Sequence, residues 1–91
     1  MRVKIKLSQP FRNVIGQKEI IITSKKDNLT LFELIKLLIE EKPKLEDYLL
    51  SDDNEKMFRR FIVVKDNKML NLNSEINNDD TLKILSPLHG G

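Results

Sequence analysis

The 91-residue chain contains no cysteine. That excludes a disulfide framework, a thiolate nucleophile and a cysteine-based metal site. It has a single histidine, His89, so a Ser-His-Asp set finds no plausible members, and one donor near a chain end does not make a metal site, which needs three or four. Glycine occurs only at Gly16, Gly90 and Gly91, which leaves no glycine-rich loop to cradle a phosphate. An excess of one charge is missing too: 16 Lys and Arg face 14 Asp and Glu, a net +2. That balance is too even to imply nucleic acid or an anionic membrane as the partner on its own. No apolar run is long enough to span a bilayer. The opening "MRVKIKLSQP" alternates charged with β-branched residues, unlike a signal peptide. The expectation is a cytoplasmic protein, monomeric when free. Hydrophobic residues at 40% and charged residues at 33% fit one soluble globular domain with a modest core.

The chain carries clear periodicities. In "RVKIKL", Val3, Ile5 and Leu7 share one face while Arg2, Lys4 and Lys6 share the other, as in a half-buried strand. "SQPFRNVIGQ" is broken by Pro10 and Gly16 and reads as a long connection pinned by Phe11 and Ile15. "KEIIIT" reads as the returning strand of a hairpin. Thr30 followed by Glu33 is a capping-box pair. Leu31, Leu34, Ile35 and Leu38 then fall on one helical face, predicting a helix over 30–42 that stops before Pro43. "PKLEDYLL" suits a short second helix, and "SDDNEK" a polar loop. "FIVVK" is apolar throughout, which predicts a strand covered on both faces or lying at an interface. "DNK" is a turn, "MLNL" a short strand, "NSEINNDD" a turn-rich stretch and "TLKILS" the last strand. The order predicts an α+β domain: a mixed sheet of four or five strands with one main helix across it.

Few residues could carry chemistry. Asp52-Asp53 and Asp79-Asp80 are neighbouring carboxylates, but in Ser-rich and Asn-rich turns they read as solvated turn residues rather than an acid–base pair. In "MFRRF", Arg59 and Arg60 stand between Phe58 and Phe61. Basic residues among aromatics can stack on single-stranded nucleic acid. With so small a net charge, a surface for a partner protein fits better, because interfaces favour Arg and aromatics. The remaining signal is the end, "LKILSPLHGG". At average glycine usage a terminal Gly-Gly arises in roughly one chain in two hundred. Here a strand runs into Pro87, then Leu88, His89, Gly90 and Gly91. Glycine has no Cβ and can enter a slot too narrow for other residues. From Pro87 onward the tail reaches roughly 17 Å at about 3.4 Å per residue. That is enough to deliver the Gly91 carboxylate into a partner's buried site. Residues 87–91 are expected to form a flexible tail, with Gly91 as the reacting group.

These segments resemble the β-grasp sulfur carriers and ubiquitin-like modifiers, a family that includes the ubiquitin-related modifier, the molybdopterin synthase small subunit and the thiamine sulfur carrier. The resemblance spans nearly the whole chain. "VKIKL…F…IGQKEI" looks like the family's opening hairpin and "TLFELIKLLIEEKPKL" like its long helix. "FIVVKDNKML" is similar to its "VxVNGxxV" segment and "INNDDTLKILSPLHGG" to its "LxDGDEVxxxPPxxGG" end. The usual Asn-Gly turn is Asp66-Asn67 here. The usual Gly before the acidic residue is Asn78, which tolerates a left-handed backbone. Ser86-Pro87 replaces the double proline, and the ending Leu88-His89-Gly90-Gly91 is nearer to the ubiquitin-related modifier.

The resemblance implies a protein with no active site of its own and no bound cofactor or metal. An E1-like enzyme would use ATP to adenylate Gly91, and a sulfur donor would convert it to a thiocarboxylate. The sulfur would pass to tRNA or to a cofactor precursor, and the same activated carboxyl could be joined to protein lysines. An alternative within the family is the small subunit of molybdopterin synthase, its tail held in the large subunit. An alternative of another class is a nucleic-acid-binding α+β module using Arg59, Arg60 and the strand lysines. The family presents an apolar sheet face beside the tail to the E1-like enzyme. The expected contacts here are Leu85, Leu88 and one of Phe58 or Phe61, with Arg59 or Arg60 at the rim.

Overall fold

The computed structural model describes residues 1–49 and 61–86. β1 (Arg2–Leu7) buries Val3, Ile5 and Leu7, so its alternation sets its inner face as predicted. β2 (Glu19–Thr23) returns antiparallel, with Ile5 opposite Ile20. The connection is more ordered than its breakers suggest. Phe11–Ile15 form a short helix, α1, with Phe11 buried. Gly16 closes it at φ 77°, its N–H donating to the Arg12 carbonyl at 2.7 Å. A left-handed residue of this kind costs a Cβ-bearing side chain strain that glycine avoids.

The main helix, α2, spans Leu31–Glu41 and buries Leu31, Leu34, Ile35 and Leu38. The capping box is present: the Glu33 N–H donates to Thr30 Oγ1 at 3.2 Å, and the Thr30 N–H to Glu33 Oε1 at 3.1 Å. Two further first-turn donors, the N–H groups of Leu31 and Phe32, reach the Ser74 and Leu72 carbonyls. The first-turn amides, which have no partner inside the helix, are thus satisfied by a distant loop. Past Pro43 the chain takes one 3₁₀ turn (Pro43–Leu45) and a short helix, α3 (Glu46–Leu49), burying Leu45 and Leu49. Among the described residues, no helix is long and apolar enough to cross a membrane.

β4 (Ile62–Lys65) and β5 (Lys68–Met69) form a tight hairpin. Its turn residues, Asp66 and Asn67, have φ of 51° and 65°. A two-residue hairpin turn with both residues left-handed matches the twist of the flanking strands. Of the two alternatives read from "FIVVK", a strand covered on both faces or one lying at an interface, the first is not met. Val63 is buried, whereas Ile62 and Val64 are only half-buried.

Two short strands have no counterpart in the sequence reading. β3 (Asn28–Thr30) and β6 (Glu75–Asn77) pair as a separate ribbon, with buried Leu29 opposite buried Ile76. The next turn is also corrected. The left-handed residue is Asp79, at φ 65°, not Asn78. Asn78 contributes its side chain instead, its Oδ1 accepting from the Arg2 N–H at 2.8 Å.

β7 (Thr81–Leu85) lies in the middle of a five-stranded sheet of order β2-β1-β7-β4-β5. It runs parallel to β1 and antiparallel to β4. The inner sheet face, with Val3, Ile5, Ile20, Ile22, Val63, Leu82 and Ile84 all buried, joins the buried stripe of α2 in one core.

Candidate functional site

The last described strand, β7, lies at the centre of the sheet. β7 is fixed on both sides, by β1 through Leu7 opposite Ile84 and by β4 through Ile62 opposite Leu85. The Ile84 carbonyl also accepts from the Ser8 hydroxyl at 2.8 Å and from the Ser8 N–H at 3.2 Å. A central strand ordered by two neighbours is a rigid base for anything attached to it. Ser86 is buried and is the last described residue before the tail.

The strand register assembles the outer face around this point. Leu85 stands opposite Ile62, Lys83 opposite Val64, and Val64 opposite Met69. Residues directly opposite on adjacent strands share a face. Leu85, Ile62 and Val64 are half-buried, and Met69 is 69% exposed. Together they make an apolar strip across β7, β4 and β5. Lys6 and Lys83, also cross-strand partners, border it on the β1 side.

Of the predicted contact residues, Leu85 lies on this strip. Phe61 does not: it is fully buried and belongs to the core, so it cannot join an exposed patch in the folded chain. The residue that follows it, Ile62, faces outward in its place. Phe58, Arg59 and Arg60 lie outside the described residues, as do Pro87, Leu88, His89, Gly90 and Gly91. The strip members Ile62, Val64 and Met69 were not singled out from sequence. The apolar run in "FIVVK" was the available signal, and it points to an exposed apolar side as readily as to a second covering layer.

Asp80 also departs from its reading as a wet turn residue. Its Oδ2 accepts from Lys65 Nζ at 2.8 Å and from the Asn77 N–H at 2.7 Å, and its side chain is only 14% exposed. It fastens the end of β4 to the turn that feeds β7. Asp79 is exposed. The two neighbouring carboxylates therefore face different surroundings, but Asp80 has a structural partner set rather than an open site. Among the described residues no three His, Cys, Asp or Glu side chains are grouped so as to hold a metal ion.

A five-stranded mixed sheet with one long helix across it, and the last strand central and parallel to the first, decides the fold. It is a β-grasp. Several solved structures are similar to this β-grasp chain, among them the following. Small archaeal modifier protein 1 of Haloferax volcanii is 21% identical over all of both chains, with a TM-score of 0.85. A chain of the BexX/CysO complex of Amycolatopsis orientalis is 20% identical, over 98% of this chain and 99% of that one, with a TM-score of 0.77. A chain from the complex of subunits 1 and 2 of the molybdopterin-converting factor of Helicobacter pylori is 22% identical over all of both, with a TM-score of 0.61. No family model matches the sequence, and no curated protein matches it.

Proposed function

We propose that the chain is a ubiquitin-like sulfur carrier and modifier that works through its Gly91 carboxylate. It acts as co-substrate of an E1-like adenylating enzyme rather than as an enzyme. A carboxylate oxygen of Gly91 attacks the α-phosphorus of ATP, a P–O bond forms, and pyrophosphate leaves. The product is an acyl-adenylate. Hydrosulfide then attacks the acyl carbon, AMP leaves with the C–O electron pair, and loss of a proton gives the thiocarboxylate. An amine attacking the same acyl group would give a conjugate to a protein lysine instead. α-Carboxyl groups are ionised at neutral pH, which makes such a carboxylate a nucleophile.

The observation that carries this reading is the placement of the tail root. The segment that leads through Pro87, Leu88 and His89 to Gly90 and Gly91 follows a central strand that ends at Leu85, beside an apolar strip of Leu85, Ile62, Val64 and Met69. A partner docking on that strip would hold the root while the two glycines enter a narrow channel. Likeness to a modifier protein supports the reading, as does likeness to two proteins solved in complexes. The molybdopterin-converting-factor likeness also supports a second reading, the small subunit of molybdopterin synthase, in which the same tail enters a large catalytic subunit.

The test is incubation with ATP, the cognate E1-like enzyme and sulfide, followed by intact mass. Wild type should gain the mass of one oxygen-to-sulfur exchange. Gly91→Ala adds a methyl beside the reacting carboxyl, and a misplacement of about 1 Å can cost around a hundredfold in rate. Deleting Gly91 shortens the reach by about 3.4 Å and should abolish adenylation. Neither change touches the core, so the melting temperature should not move. A deletion variant adenylated as fast as wild type would sink the proposal.

A further inference from the structure

Beside the tail root lies a cleft of about 400 Å³ whose lining includes Lys6 on β1, Arg12 on α1, and Lys83 and Leu85 on β7. Only the fold brings Lys83 beside Lys6 and Arg12, since β1 and α1 follow one another at one end of the chain and β7 comes from the other. Lys6 and Lys83 are cross-strand partners, which sets their stems on strands about 4.8 Å apart. Like charges facing one another across a sheet are destabilising.

Nothing among the described residues neutralises them. The described ion pairs join Lys4 to Glu19, Lys26 to Glu33 and Lys65 to Asp80. Glu19 stands opposite Lys6 in the register, yet its carboxylate reaches Lys4 at 3.9 Å. A merely solvated face would scatter its lysines. Here the cations gather at one end of the apolar strip, and Ile62, Val64, Met69 and Leu85 fill the rest. An apolar centre with a charged border is the layout of a protein interface.

We infer that this cleft is an electrostatic docking element that receives Asp or Glu side chains of the adenylating enzyme and so sets the direction in which the tail enters it. The inference rests on the function proposed above and names the chemistry of the partner's surface. Complementary charges bordering an apolar contact act mainly on encounter and orientation, and hence on apparent affinity, not on the chemical step. The Lys6, Arg12 and Lys83 side chains touch neither ATP nor the acyl group in this scheme; they position the carrier.

The test is ATP–pyrophosphate exchange with the cognate E1-like enzyme, with the carrier varied, at about 50 and 200 mM salt. Three carriers are compared: wild type, the cleft triple K6Q/R12Q/K83Q, and a control triple K18Q/K25Q/K44Q that removes the same charge from exposed sites elsewhere. The cleft triple should raise KM for the carrier about tenfold or more at low salt, leave kcat unchanged, and flatten the salt dependence. The control triple should stay within about twofold of wild type. Circular dichroism melts should show neither triple less stable than wild type, since none of these side chains is in the core and the cleft triple relieves the repulsion between Lys6 and Lys83. If wild type is exchanged efficiently and the cleft triple behaves like the control, the cleft inference is overturned while the carrier function stands. If wild type itself supports no exchange, the carrier reading fails and takes the inference with it. Retention of labelled tRNA by wild type, lost in the cleft triple with KM unchanged, would overturn it in favour of phosphate binding.

Discussion

Phe61 and Ile62 are neighbours in sequence and opposites in structure, and substituting them one at a time tests the whole assignment of this face. Phe61 is fully buried, whereas Ile62 is half-buried on the outer strip opposite Leu85. Removing a buried phenylalanine ring loses its transfer free energy and leaves a cavity, about 3–5 kcal/mol for Phe→Ala. Total stability for a natural domain is about 5–15 kcal/mol, so that is a large share of it. For a domain of this size each kcal/mol moves the melting temperature by about 4–8 °C, which predicts a fall of at least roughly 12 °C for Phe61→Ala. Ile62→Ala gives up only partial burial and should cost about 1 kcal/mol. Urea unfolding followed by circular dichroism measures both, with the slope m held as a check on two-state behaviour. The functional prediction runs the other way. Exchange assayed well below the melting temperature and corrected for folded fraction should be weakened in Ile62→Ala and near wild type in Phe61→Ala. If Phe61→Ala loses less than about 1 kcal/mol, or if Ile62→Ala is the more destabilised, the in–out assignment at β4 is wrong.

Two further outcomes follow from local geometry. Gly16→Ala should lose about 1 kcal/mol in the same urea experiment, from backbone strain alone: φ is 77° and nothing lies within 4 Å of an added Cβ; an unchanged midpoint would show that the helix end relaxes freely. The Lys26 ammonium bonded to Glu33, then the Thr30 N–H, hold the Glu33 carboxyl below its ordinary value of 4.5. A lowered pKa means that its contribution is present above that value and is lost as pH falls through the folded-state pKa. Glu33→Gln keeps a capping side chain but removes the charge, so it should be less stable than wild type at pH 7, with the difference shrinking as pH falls through the folded-state pKa, by urea midpoints; a difference unchanged by acid would refute the charge as the cause.

Elements defined by their own residues were legible in the sequence. The alternation of "RVKIKL" sets the inner face of β1, and Thr30 with Glu33 opens α2 one residue from where it was expected. The Leu31, Leu34, Ile35 and Leu38 stripe is the buried stripe. Asp66-Asn67 makes the tight turn that its left-handed tolerance allows. Each of these is fixed by interactions within a few residues, where side-chain period and capping chemistry act directly. The ribbon of β3 and β6 was not legible, because three residues are too few to show a period and its strands are far apart in sequence, with Leu29 paired to Ile76. The fully buried Phe61 and the part-buried Asp80 were misplaced for a related reason. Alternation says that neighbours in a strand face opposite ways, but not which way the core lies. The central position of β7 came only from tertiary structure, which joined it to β1 from the far end of the chain, placing Lys6 beside Lys83, and to β4, placing Leu85 beside Ile62. The Gly90-Gly91 pair on which the proposed function rests is legible in the sequence, but the surface that would present it exists only once β1, β7 and β4 lie side by side.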